Sequence, residues 1–208
     1  MIQNVDAFGI RSRTNVGIDE IRIEILRKSI HLLIALVPSL SFFIGVFPTT
    51  LILAAGVIFY ATCETLRMNG KEIPVVSAVT SLAARKRDAG KFVLGPITLG
   101  LGAMLSLILY PEPAASIAIY ALAFGDGLSS LVGKLFGTIR LPFTGGKSLE
   151  GSLTCFTAVF VSAFALSGKA LPSIAVAIIA TVTEACPLKD FDNIILPLVT
   201  GCAALILL

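Results

Sequence analysis

Residues able to do chemistry fall in four places along this chain. Asp126 lies inside the apolar stretch 114–137, where a carboxylate costs about 2.5–3.5 kcal/mol on insertion scales and marks a functional or water-filled site. On a helix it shares a face with Ser129, Ser130, Gly133 and Gly137. Gly125 and Gly127 flank it, where they could break the helix and let backbone and ligand approach closely. A packing stripe of small residues around a hydrogen-bonded Asp accounts for the same pattern. The second place is Thr144-Gly145-Gly146-Lys147-Ser148-Leu149-Glu150-Gly151-Ser152. Glycines followed by Lys and Ser at a helix start can cradle phosphate through backbone N–H groups and an ammonium. The spacing is not that of a Walker loop, which would need glycine where Leu141 stands. A flexible connector capped by Ser148 explains the segment almost as well.

The third place runs from Glu184 to Asn193. Glu184, Asp190 and Asp192 could hold a hard cation such as Mg²⁺, and a solvated loop with Asp192 or Asn193 capping the last helix fits equally. The fourth comprises Glu24, Arg27, Lys28 and His31 before the first long apolar run, with Glu64 and Arg67 at the end of the second. Glu24 and Lys28 read as an i,i+4 pair that needs no function, and His31 as a side chain snorkelling to an interface. Taken together, the four places put carboxylates, phosphate-binding groups and cations on one face of a membrane domain. That is equipment for handling nucleotide phosphates beside lipid.

The elements that must position these residues follow from composition. The chain has 208 residues, 56% hydrophobic and only 14% charged, with mean hydropathy +0.94; an ordinary soluble domain, about 25% charged, is excluded. The 16 Lys and Arg against 13 Asp and Glu, net +3, are too evenly balanced for a nucleic-acid footprint. Apolar runs fall at 29–47, 49–66, 92–110, 114–137, 151–167, 171–186 and 194–208. They predict an all-α polytopic membrane protein of about seven spanning helices. The whole of 1–208 reads as a single integral membrane domain. Residues 18–31 and 72–91 read as interfacial amphipathic helices, with Val75, Val76, Val79 and Leu82 apolar and Arg85-Lys86-Arg87 facing anionic headgroups. Residues 1–28 are polar, so no signal peptide is expected and the first apolar helix directs insertion. Of the 16 basic residues, 15 fall in segments on one side of the expected bilayer and only Lys169 on the other. The excess places the N-terminus and the chemistry on the cytoplasmic side. Cys63, Cys155, Cys186 and Cys202 are widely spaced and read as small apolar packers.

Asp126-x-x-Ser129-x-x-x-Gly133-x-x-x-Gly137 followed by Lys147-Ser148-x-Glu150-Gly151-Ser152 resembles the signature of the dolichol kinase, phytol kinase and CTP-dependent diacylglycerol kinase family. Arg27-Lys28-x-x-His31 and Asp192-Asn193 with Pro197 are similar to that family's outer motifs. Ser129 stands where the family usually has Ala, and Gly146 where a second Lys is common. The resemblance implies transfer of the γ-phosphate of CTP to the hydroxyl of a membrane lipid alcohol. It implies Mg²⁺ on Asp126 and Asp192, with Glu150 as a further ligand or as organiser of Lys147. Lys147, with Gly133, Gly146 and Ser148, would contact phosphate, and Asp126 could instead take the hydroxyl proton. Arg27, Lys28, His31, Glu64, Arg67 and Asn193 would be nucleotide contacts or gate residues. The alternatives are a phosphatidate cytidylyltransferase and, from a different class, a small transporter with Asp126 as its ion site.

Overall fold

The structure is a computed structural model that describes residues 18–71, 73, 74, 76, 80, 90–188 and 191–208, without the side chains of 18–20. Every one of the seven apolar runs is helical. The elements are α1 (Ile18–Leu33), a 3-10 turn (Ile34–Leu36), α2 (Val37–Ile44), α3 (Val46–Met68), α4 (Gly95–Leu109), α5 (Ala114–Tyr120), a π turn (Ala121–Asp126), α6 (Gly127–Leu135), α7 (Leu149–Ser167), α8 (Ala170–Ala185) and α9 (Asp192–Leu207). Among the described residues there is no strand, only an isolated antiparallel bridge between Arg140 and Ser148. Most of 72–91, together with residues 1–17, Lys189 and Asp190, lies outside the described residues, and the second interfacial helix falls there.

Among the described residues, four helical stretches are long and apolar enough to cross a bilayer: Ile21–Ile44, Val46–Met68, Ala114–Leu135 and Leu149–Ser167. The other three, α4, α8 and α9, have 15, 16 and 16 residues. At 1.5 Å per residue they fall short of a hydrocarbon layer about 30 Å thick. The run expected at 92–110 is shortened at its start, where Gly95-Pro96 opens the helix with proline in its first turn.

Ala114–Leu135 is the central element: 67% of its apolar stretch is buried, against 11% for Val46–Met68. Its Ile117 and Ala121 pack with Cys155, Val159 and Ala163 of α7, Val176, Ala177 and Ala180 of α8, and Leu196, Ala203 and Ala204 of α9. The core is small-residue rich, which lets backbones approach closely. A Cβ at Gly201 would enter the ring of Tyr110, whose hydroxyl donates to the Leu198 carbonyl at 2.6 Å. The outside is apolar, with Phe42, Phe43, Phe47, Leu171 and Ile206 exposed, as lipid contact requires.

Two sequence expectations change. Gly125 and Gly127 do not break the helix at Asp126; the chain widens into a π turn and continues. The space beside Gly125 is taken by Val159 and Cys155, whose side-chain atoms lie 3.2 and 3.4 Å from where a Cβ would sit. Residues 18–31 do not form a separate interfacial helix with its polar face in water either. That segment belongs to α1, runs through the 3-10 turn into α2, and turns Glu24, Lys28 and His31 inward while Ile25, Leu33 and Leu36 are exposed. The inversion follows from Asp126, which needs cationic partners inside the bundle.

Candidate active site

Asp126, at the end of the π turn and 6% exposed, is held from α1. Lys28 Nζ donates to its Oδ2 at 2.6 Å and to its carbonyl at 3.1 Å, and His31 Nε2 lies 3.2 Å from the same Oδ2. His31 Nε2 also meets Asn193 Oδ1 at 3.1 Å. Asn193, at the start of α9, donates through Nδ2 to Thr98 Oγ1 at 2.9 Å and to the Gly95 carbonyl at 3.3 Å. The carboxylate is thus tied directly to α1 and, through His31 and Asn193, to α9 and α4. A turn earlier on α1, Glu24 accepts from Arg27, from Lys134 and from the Ser130 hydroxyl at 2.6 Å. Neither the surface Glu24–Lys28 pair nor a snorkelling His31 is what forms.

The glycine segment closes a hairpin between α6 and α7. Leu141 N donates to the Lys147 carbonyl and Leu149 N to the Ile139 carbonyl, both at 2.9 Å, and Arg140 donates to the Gly146 carbonyl at 2.8 Å. The turn needs φ of 72° at Gly145 and 99° at Gly146, a left-handed conformation costly for residues with a Cβ. Ser148 caps α7 by accepting from Gly151 N at 3.2 Å. Glu150 Oε1 accepts from Thr138 N at 2.8 Å, from the Thr138 hydroxyl and from Ile139 N at 3.3 Å, so it ties the base of the hairpin. Lys147 pairs with Glu184 of α8 rather than with Glu150: its Nζ donates to Glu184 Oε1 at 2.7 Å and to the Glu184 carbonyl. Ser129 Oγ reaches the same Oε1 at 3.2 Å.

These groups surround one cavity of about 440 Å³. Asp126, Lys28, Gly133, Gly146, Lys147, Ser148 and Asp192 line it. Arg27, His31 and Asn193 stand just behind that wall, bonded to Glu24 or around Asp126. Glu150 lies outside the wall. Glu64 and Arg67 are elsewhere: Arg67 makes two bonds of 2.7 Å to the Glu64 carboxylate, which also accepts from Val93 N at 2.8 Å. That pair fastens the end of α3 to the strap before α4. From the sequence, Lys134 and Arg140 serve only to set orientation and Glu184 only as a possible cation ligand with Asp190 and Asp192, yet Lys134, Arg140 and Glu184 all line the cavity. A carboxylate near the end of an apolar helix is the signal that points to Glu184.

Among the described residues no three His, Cys, Asp or Glu converge as a ready-made metal site. The donor set nevertheless fits a phosphate-bound Mg²⁺, which is held by one or two carboxylates plus substrate oxygens. Asp126 and Asp192 bring hard oxygens from two helices to the wall that also carries Lys147, Lys134 and Arg140.

The chain is similar in sequence to known proteins. The chain is 27% identical over 175 residues to the probable phytol kinase 1, chloroplastic, of Oryza sativa subsp. japonica, covering 74% of this chain and 54% of that protein. Its relatives are phytol and farnesol kinases. Phytol kinase 1, chloroplastic, of Arabidopsis thaliana is 29% identical over 157 residues, 67% of this chain and 52% of the relative. The farnesol kinase, chloroplastic, of the same plant is 28% identical over 141 residues, 60% and 46%. The chain thus spans about half the length of the curated relatives it matches. No protein-family model matches it, and no solved structure does.

Proposed function

We propose that this chain is a membrane lipid kinase that transfers the γ-phosphate of CTP to the hydroxyl of a lipid alcohol of the phytol or farnesol kind. The observation that carries the reading is the convergence on one cavity of Lys147, Lys134 and Arg140 with Asp126 and Asp192, at the ends of helices whose outer faces are apolar. The names of the relatives support the acceptor class; the donor base rests on the sequence resemblance.

Phosphoryl transfer asks for positioning and charge neutralisation rather than covalent chemistry. Lys147 and Arg140 bind the phosphates from the hairpin, Lys134 from α6, and the glycine turn brings backbone amides close. Asp126 and Asp192 would hold Mg²⁺, which when bound neutralises charge on the transferring phosphoryl group. Lys28 and His31 fix the rotamer of Asp126, and Glu150 acts through the hairpin that it ties. The lipid chain stays in the bilayer while its hydroxyl enters the cavity, which faces the cytoplasm together with the N-terminus.

The test is a vesicle assay with γ-labelled CTP and farnesol or phytol. Labelled lipid phosphate with CDP is expected, and CTP should outcompete ATP, GTP and UTP; equal use of ATP would remove the CTP assignment. Release of pyrophosphate with phosphatidate would instead make the protein a cytidylyltransferase, and neither product would return the transporter. Asp126→Asn should lose turnover by orders of magnitude while the protein still inserts. Near-normal activity with unchanged Mg²⁺ dependence would return Asp126 to a structural role.

A further inference from the structure

Resting on that reading, we infer that Glu184 is the catalytic base that receives the proton of the acceptor hydroxyl. Glu184 is the penultimate residue of α8, is 5% exposed, and belongs to the wall of the cavity that Asp126 and Lys147 also line. Its two oxygens are unequal. Oε1 takes Lys147 and Ser129, whereas Oε2 is buried with no hydrogen-bond partner. A buried carboxylate oxygen left unpaired is costly, and its open lone pairs suit it to a proton that arrives with substrate.

Asp126 is the competing candidate, and its surroundings argue against it. Its Oδ2 is shared by Lys28 at 2.6 Å and His31 at 3.2 Å, two groups that stabilise the anion and occupy the oxygen. Lys147 adds a positional argument. An ammonium has three donors; two are spent on the Oε1 and the carbonyl of Glu184, leaving one for a phosphate oxygen. The cation that holds a transferring phosphate therefore holds the carboxylate beside it.

In the step, the hydroxyl oxygen of the lipid alcohol forms a bond to the γ-phosphorus as its proton passes to Glu184 Oε2. The bond from the γ-phosphorus to the bridging oxygen breaks, and its electron pair leaves on the β-phosphate of the nucleoside diphosphate. Glu184 then releases the proton to water as products depart. No other reactant is needed. Among the described residues, the charged groups that share the cavity with Glu184 are Lys28, Asp126, Lys134, Arg140, Lys147 and Asp192, and Cys155 of α7 lies close enough to feel its charge.

The experiment compares wild type, Glu184→Gln and Glu184→Asp in vesicles with CTP and farnesol, measuring kcat, CTP affinity and the pH profile of kcat. Glu184→Gln should lower kcat by about 10²–10⁴-fold, leave CTP affinity within a few-fold, and remove the acidic limb of the wild-type profile. Glu184→Asp should keep that limb with an intermediate kcat, and it decides the matter if the Gln variant fails to fold: kcat at the wild-type level overturns the proposal. Glu184→Gln with near-wild-type kcat, or with CTP affinity lost in parallel with kcat, also overturns it, the second result making Glu184 an anchor for Lys147. If wild type transfers no phosphate at all, the kinase reading falls and this inference with it. An active wild type beside an equally active Gln variant refutes the inference alone.

Discussion

Replacing Lys28 by Met keeps an unbranched side chain of similar length and removes the ammonium that faces Asp126. The lost pair is buried on both sides, with side-chain exposures of 3% for Lys28 and 9% for Asp126, so the 0–1 kcal/mol typical of surface pairs does not apply. Removing one partner of a buried pair costs roughly 3–5 kcal/mol, because the other charge stays behind. His31 Nε2 remains 3.2 Å from the same oxygen, which puts the loss at the lower end, about 3 kcal/mol. For a chain of this size that corresponds to a fall in Tm of about 6–12 °C. The protein has no Trp, but Cys63 and Cys155 are buried, so a thiol-reactive dye reports unfolding in detergent at a fixed scan rate. Cys186 and Cys202 are exposed and supply the starting signal. Combining Lys28→Met with Asp126→Asn removes both charges and should recover most of the lost Tm. A Lys28→Met protein that melts within 2 °C of wild type, to the resolution implied by about 2–4 °C per kcal/mol, would refute the argument. So would a double variant in which the two losses simply add.

Gly151→Ala should lower Tm by an overpacking loss of about 1–3 kcal/mol and reduce activity, because its Cβ would sit 2.7 Å from the Ser129 carbonyl where α7 crosses α6. Gly56→Ala should do the reverse, raising stability by about 0.5–1 kcal/mol, since nothing lies within 4 Å of its Cβ position; melting curves check both. Cys186 lines the cavity and is exposed. A membrane-impermeant maleimide should therefore label it only from the side that the N-terminus faces, and CTP with Mg²⁺ should slow the reaction. Labelling from the opposite side would reverse the proposed orientation.

Much of the fold is legible because lipid makes one signal dominant: the apolar runs at 49–66 and 151–167 appear as Val46–Met68 and Leu149–Ser167. Helical spacing likewise puts Asp126, Ser129, Ser130 and Gly133 on one face, and all four line the cavity. Periodicity states which residues share a face and nothing about what that face meets. Hence Glu24, Lys28 and His31 are grouped correctly from sequence, while their direction is not: Lys28 meets Asp126 98 residues away and His31 meets Asn193 162 residues away. The same limit hides the partner of Glu184. Its pairing with Lys147 depends on how α8 ends against the hairpin, which no local pattern records. Glu64 and Arg67 mislead for the opposite reason, since a charged pair at a helix end looks the same whether it binds a ligand or its own chain.

The inward polar face of α1 also bears on what keeps the bundle together. Lipid tails are as apolar as leucine, so hydrophobic burial supplies little drive for one helix to stay against another inside a bilayer; close packing of small residues and hydrogen bonds between helices must do it. α1 carries Ile25 and Leu33 on its exposed side and reaches α6 and the π turn through Lys28, Glu24 and their partners. Detaching it would leave Asp126 in an apolar layer without Lys28 or His31, a loss comparable to the buried-pair penalty. The bonds that hold α1 in place are therefore the bonds that fix the carboxylate of the site. A substitution that loosens this helix would also release the side chain of Asp126.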